Sequence, residues 1–127
     1  MSKIGTSKRG KLNDKIHAQM RLIALRRHPH CVCCGRSDGI LQGGHLIPKK
    51  SSTAVRYDLM NVHTLCSGCN SLDRFNPHPH INWFISEYGV EEYQDLVARS
   101  KAKPKPIKIG ELEQILETYK KINERFK

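Results

Sequence analysis

Two Cys-x-x-Cys pairs, Cys31-Val-Cys-Cys34 and Cys66-Ser-Gly-Cys69, constrain this chain more than any other feature in it. Each can offer two thiolates to one tetrahedral ion, and a site of four sulfurs is closed, with no position left for a substrate. The spacing predicts a structural Zn²⁺ on Cys31, Cys34, Cys66 and Cys69, able to supply on the order of 10–16 kcal/mol of folding free energy. Such a staple matters because 38% of the 127 residues are apolar and 6% aromatic, a thin core for this length. The competing readings are free thiols or a redox pair, in which Cys31 and Cys34 would cycle and no zinc would be retained. Cys33, inside the first knuckle, reads as a spectator. His28 and His30 beside it are weaker candidates for the same ion.

The five cysteines are an odd number, and the opening Met1-Ser-Lys-Ile-Gly-Thr6 is polar, with no apolar segment behind it. No apolar run approaches the roughly 18 residues that cross a membrane. The expected setting is a reducing cytoplasm, where paired Cys-x-x-Cys units favour metal over disulfide. Lys and Arg number 22 against 12 Asp and Glu, a net charge of +10. That surplus points to a polyanionic partner, most often nucleic acid, with a merely well-solvated surface as the bland alternative.

Along the chain, residues 1–11 read as a flexible basic arm. Leu12, Ile16, Met20 and Ile23 recur at helical spacing, with Asn13 or Asp14 as the expected cap and Pro29 as the stop. Residues 40–47 suggest a short strand carrying His45, with Val55-Arg-Tyr57 as its return. A short helix is expected to begin in the second knuckle and to carry Asn70 and Asp73. The core is expected over residues 12–76 and a helical C-terminal extension over 77–127. Ile81, Phe84, Ile85 and Tyr88 form one helical stripe, and Val90, Tyr93, Leu96 and Val97 another. After a basic, Pro-containing linker at 101–109, a last helix carries Leu112, Ile115, Leu116, Tyr119, Ile122 and Phe126 on one face. His78 and His80, in Asn-Pro-His-Pro-His, read as exposed turn residues.

The knuckles are separated by 31 residues (35–65), longer than the roughly 15–20 of a common zinc ribbon. His45 and Asn61 lie in that insertion. Together Gly44-His45, Asn61 and Cys66-x-x-Cys69-Asn70 resemble the HNH (ββα-metal, His-Me finger) nuclease motif in its four-cysteine form. The similarity extends to the NinG/Rap family of phage recombination endonucleases, through Gly43-Gly-His-Leu-Ile-Pro48, Arg56-Tyr-Asp58, Asn61-Val-His63, Asn76, Glu87-Tyr-Gly89 and the Pro-rich linker. The resemblance implies an α+β fold: a small zinc-stapled ββα-metal core with an N-terminal helix and a C-terminal helical extension. It also implies a DNA endonuclease acting on branched or single-stranded recombination intermediates, in a bacterial host cell if phage-encoded.

Phosphodiester hydrolysis needs a base for water and a cation for the developing charge. His45 is the expected base, because a neutral imidazole accepts a proton near pH 7. The resemblance gives Asn61 the task of holding the loop and orienting the base. Asn70 would present an amide oxygen to a divalent ion, Mg²⁺ or Mn²⁺. One position departs from the pattern: many HNH enzymes carry an Asp before the histidine, and here it is Gly44. Asp73 or His63 would have to complete the ligand set, or catalysis has been lost. Arg21, Arg26, Arg27, Lys49, Lys50 and Arg56 are the expected phosphate contacts. Two rivals stand beside the enzyme: a non-catalytic zinc module that binds nucleic acid, and an interaction protein docking through its last helix onto other recombination proteins. A homodimer would suit a junction-cutting enzyme, but no dimer seam is legible.

Overall fold

The computed structural model describes residues 7–49, 53–103 and 105–125. Its elements run α1 (Lys8–Arg27), β1 (Leu41–His45), a short 3-10 turn (Leu59–Asn61), β2 (Val62–Cys66), α2 (Ser67–Asp73), α3 (His78–Tyr88), α4 (Val90–Ser100) and α5 (Ile109–Arg125). The fold is therefore α+β, with one two-stranded antiparallel sheet among the described residues. No helix is long and apolar enough to cross a membrane.

Helix α1 begins earlier than the apolar spacing suggests. Ser7 caps it, its side-chain oxygen accepting the Gly10 N–H at 3.0 Å. Residues 8–11 are thus helical rather than part of a loose arm; residues 1–6 lie outside the described residues. Asn13, the expected cap, instead accepts a 2.7 Å hydrogen bond from the Tyr57 hydroxyl. Leu12, Ile16, Met20 and Ala24 are buried against Leu112 and Leu116 of α5 and Val62 of β2. Burying each large aliphatic side chain stabilises by about 1.5–3 kcal/mol, so this seam is the main apolar glue of the fold. Its far end is polar. Buried Asn123 donates to the Gln19 carbonyl at 3.1 Å and accepts from the Arg26 guanidinium at 3.1 Å. Phe126 lies outside the described residues.

Strands β1 and β2 pair from Leu41 with Cys66 at one end to His45 with Val62 at the other. The return strand is Val62–Cys66, not Val55–Tyr57, which forms a turn closed by Arg56 N to Thr53 O and Asp58 N to Val55 O. All five β2 residues are buried, so the strand is sandwiched and shows no period-two alternation. The glycines of β1 admit close neighbours on both faces. A Cβ on Gly43 would sit 3.3 Å from the Arg21 Cα on α1, and one on Gly44 would sit 2.4 Å from Leu65 Cδ1. The C-terminal helices close over the same sheet. Phe84 of α3 and Leu96 of α4 pack with Leu46 and Val55, which follow β1. Gly89 makes the tight turn between α3 and α4 at φ 98°, a conformation that favours glycine.

Candidate functional site

The four predicted cysteines converge at the Leu41–Cys66 end of the sheet. Their Sγ atoms all lie within 4.8 Å of one another, the cluster of possible metal-binding side chains found among the described residues. Tetrahedral coordination at about 2.3 Å per sulfur places neighbouring sulfurs about 3.8 Å apart. Cys34 and Cys66 are 3.7 Å apart, the spacing of ligands and not of a disulfide. The backbone prepares this arrangement. Gly35, at φ 79°, donates to the Cys31 carbonyl at 2.8 Å, and the Val32 N–H bonds the Thr64 carbonyl at 2.9 Å, tying the first knuckle to β2. Cys66 ends β2 and caps α2, its sulfur accepting the Cys69 N–H at 3.4 Å. Four cysteines so placed can hold a structural zinc. Cys33 stays out of the cluster, and burial together with the negative charge of its neighbours pushes its thiol up to about 12.

A cleft of about 620 Å³ runs along β1, between that strand and α2. Gln42, Gly44, His45 and Lys49 line one side; Asn70, Asp73 and Arg74 line the other. His45 and Asn70 therefore share one cleft. The His45 Nε2 bonds the Arg56 carbonyl at 3.0 Å. A carbonyl can only accept, so Nε2 carries the proton and Nδ1 keeps a free lone pair. Burial holds the His45 imidazole below its ordinary range; the charges of Lys49 and Arg56 push the same way, against the Arg56 carbonyl bond. Both the burial and the neighbouring charges favour the neutral form of the ring.

Asn61 is fully buried and does not reach the cleft. Its amide accepts the Ile47 N–H at 2.8 Å and donates to the carbonyls of Ile47 at 3.0 Å and Val55 at 3.2 Å. One side chain thus clamps the segment after His45 to the turn that supplies the Arg56 carbonyl. Asn70 donates to Gln42 Oε1 at 2.8 Å, which directs its own Oδ1 toward the Gly44 backbone. That oxygen would be 2.9 Å from a Cβ on Gly44, and Leu65 would be closer still. The position before His45 has no room for a carboxylate unless Leu65 moves.

Asp73 and His63, the two expected substitutes, have different fates. Asp73 lines the cleft, and its Oδ2 accepts from His80 Nδ1 at 3.1 Å. His63 is 2% exposed, lies among Trp83, Phe84 and Tyr88, and does not line the cleft. Its Nδ1 is 2.8 Å from His80 Nε2, and burial, aided by His80, pushes it down to about 2. His63 is thus a neutral internal donor rather than an ion ligand. His80 corrects the sequence reading most sharply. It is fully buried, because it lies in the first turn of α3 on the same face as buried Phe84, four residues on, where it meets Asp73 and His63. Asp73, with its Oδ2 held by His80, and Asn70 thus line the same cleft.

Sequence reasoning missed His17. Its ring stands edge-on to His45 with centroids 5.3 Å apart, and also contacts Tyr57 at 5.4 Å. Burial, then the charges of His45, Lys49 and Arg56, push it down to about 4. Its one sequence signal was adjacency to Ile16 on the buried stripe, too weak to mark a site residue. Among the expected phosphate contacts, Arg21 and Arg26 are exposed, and the Nε of each also makes an internal bond, Arg21 to the Leu41 carbonyl at 2.8 Å and Arg26 to Asn123 Oδ1 at 3.1 Å. These two fasten α1 to β1 and to α5. Arg27 is exposed, Lys49 lines the cleft, and Lys50 lies outside the described residues.

A family model described as "Bacteriophage Lambda NinG protein" matches residues 9–127. Neither a curated protein nor a solved structure matches the chain. The family match takes in both knuckles, the whole cleft and every helix after it, and on that extent the chain belongs to the NinG family.

Proposed function

We propose that this chain is a metal-dependent endonuclease of the HNH type that hydrolyses DNA phosphodiester bonds. The supporting observation is the shared cleft of His45 and Asn70, with the proton of His45 fixed on Nε2 by the Arg56 carbonyl. In this reading the succession β1, β2, α2 is the ββα-metal unit. His45 Nδ1 takes a proton from water as the oxygen attacks phosphorus. Asn61 acts at a distance, holding the Arg56 turn against the strand that carries His45. Asn70 and Asp73 would hold Mg²⁺ or Mn²⁺, which supplies charge neutralisation on the phosphoryl and leaving oxygens. His80 keeps Asp73 in place. The cysteine cluster holds zinc and takes no part in the chemistry. NinG membership supports a role in phage recombination, with branched or single-stranded DNA as the substrate.

A second reading, a zinc module that binds nucleic acid without cutting it, is favoured by Gly44, which can neither ligate an ion nor accommodate a ligand in its place. Nicking of supercoiled plasmid with Mg²⁺ or Mn²⁺ separates the two. The enzyme reading expects wild type to nick and His45→Ala to lose at least about a hundredfold in rate, the lower end for a positioned base, while both bind DNA equally. Equal nicking by both, or by neither, contradicts it.

A further inference from the structure

A second cleft, of about 320 Å³, lies outside the one already described, between the start of α1, the turn at 53–57 and the linker at 105–107. Arg9, Arg56 and Lys105 line it together with Thr53 and Tyr57, and no acidic side chain does. Among the described residues none of the three cations forms an ion pair. The Arg56 Nε is buried with no hydrogen-bond partner, although a guanidinium N–H so placed normally finds an acceptor. The first turn of α1 adds to the same potential. It carries Lys8, Arg9 and Lys11 and no acidic residue, at the end where the helix dipole is already positive. Three converging cations, a hydroxyl-bearing wall and an orphaned donor make a site for a phosphate oxygen.

We infer that this cleft binds a backbone phosphate of a nucleic-acid strand at a point separate from the cleavage cleft. Arg56 belongs to both places: its carbonyl holds His45, and the residue also lines the basic cleft. A strand gripped here is held beside His45 without any base being read. The inference rests on the nucleic-acid part of the proposed function and not on catalysis.

The test is binding of a labelled oligothymidylate and of a duplex of equal length, without divalent ions, as a function of salt. It compares the zinc-loaded Arg9→Gln/Lys105→Gln protein with Lys120→Gln/Lys121→Gln, which removes the same charge from exposed positions on α5. The first pair should weaken single-strand binding about tenfold near 0.1 M salt and lower the salt slope by about 0.7, the value for one phosphate contact. The control pair should change both by less than half as much. Arg9 also donates to the Ile107 carbonyl, so Lys105→Gln alone, which breaks no hydrogen bond or ion pair seen among the described residues, should give part of the same loss. Equal losses in the two double variants would reduce the effect to net charge and overturn the site, as would no loss in either. Inorganic phosphate supplies the remaining arm. Micromolar binding of phosphate alone, abolished in Arg9→Gln/Lys105→Gln with the DNA salt slope unchanged, would make the ligand a free phosphate and overturn the strand assignment. Failure of wild type to nick plasmid would leave these binding results intact, so the two readings fail separately.

Discussion

The two ends of the β1–β2 pair are closed by opposite means. At the Leu41–Cys66 end, four thiols from two knuckles meet within 4.8 Å, and a single ion can tie them. At the His45–Val62 end, one buried amide, Asn61, joins the chain on either side through three hydrogen bonds. The first closure would rest on four metal–sulfur bonds, with the knuckle itself tied to β2 through the Val32 N–H. The second is weak bond by bond and depends on Leu46 and Val55 being covered by Phe84 and Leu96. The sulfur anchor at one end and the packed amide clamp at the other together fix the strand that carries His45.

The largest effect should come from breaking the anchor. Stripping zinc with a chelator, or replacing Cys66 with Ser, removes a contribution on the order of 10 kcal/mol, comparable to the net stability of a domain. Loss of cooperative thermal unfolding by circular dichroism, reversed by added Zn²⁺ in the wild type alone, is the expected result. A stable, fully folded metal-free protein would show that the thin core suffices. Breaking the clamp should do less. Asn61→Ala leaves the Ile47 N–H and the Ile47 and Val55 carbonyls without their buried partner, a loss of about 3 kcal/mol or more with each orphaned group costing at least roughly 1 kcal/mol. Zinc content should stay at one per chain while denaturant stability falls. Loss of zinc along with stability would mean that the two ends are not independent.

Gly44→Asp sharpens the contrast further. Restoring the carboxylate that the HNH pattern expects should not help, because its Cβ meets Leu65 at 2.4 Å. It should destabilise by about 1–3 kcal/mol, as overpacking does. Pairing it with Leu65→Ala should relieve the clash, and chemical denaturation of the single and double variants reads this directly. A Gly44→Asp protein as stable as wild type would show that Leu65 is free to move.

The same contrast explains what could be read from the chain in advance. The anchor was legible because ligand spacing is a local property: Cys-x-x-Cys states its chemistry in four residues. So were the helices, whose stripes at Leu12–Ile16–Met20 and Leu112–Leu116 repeat at the period that buries them. The cleft was only half legible. His45 and Asn70 were marked by motif, but His17 and His80 enter their environments through contacts with distant segments, which leave no spacing to read. Asn-Pro-His-Pro-His looked like an exposed turn, yet α3 begins at His78 and its spacing puts His80 on the buried face with Phe84. Val55-Arg-Tyr57 has β-favouring residues but is held as a turn by Asn61, while the buried strand Val62–Cys66 hides its period by having no exposed face. The internal bonds of Arg21 and Arg26 were not legible, because charge is visible in sequence and internal acceptors are not.

The central claim is that a neutral His45 takes a proton from water in the cleft. Its most direct test is the single-turnover rate of plasmid cleavage against pH at saturating Mn²⁺. Burial lowers the His45 pKa below 6.5, and a base works only when unprotonated. The rate should therefore be flat above pH 6.5 and fall about tenfold per pH unit once the pH drops below the lowered value. A profile that is unchanged in His45→Ala, or a complete absence of cleavage at every pH, would contradict the account.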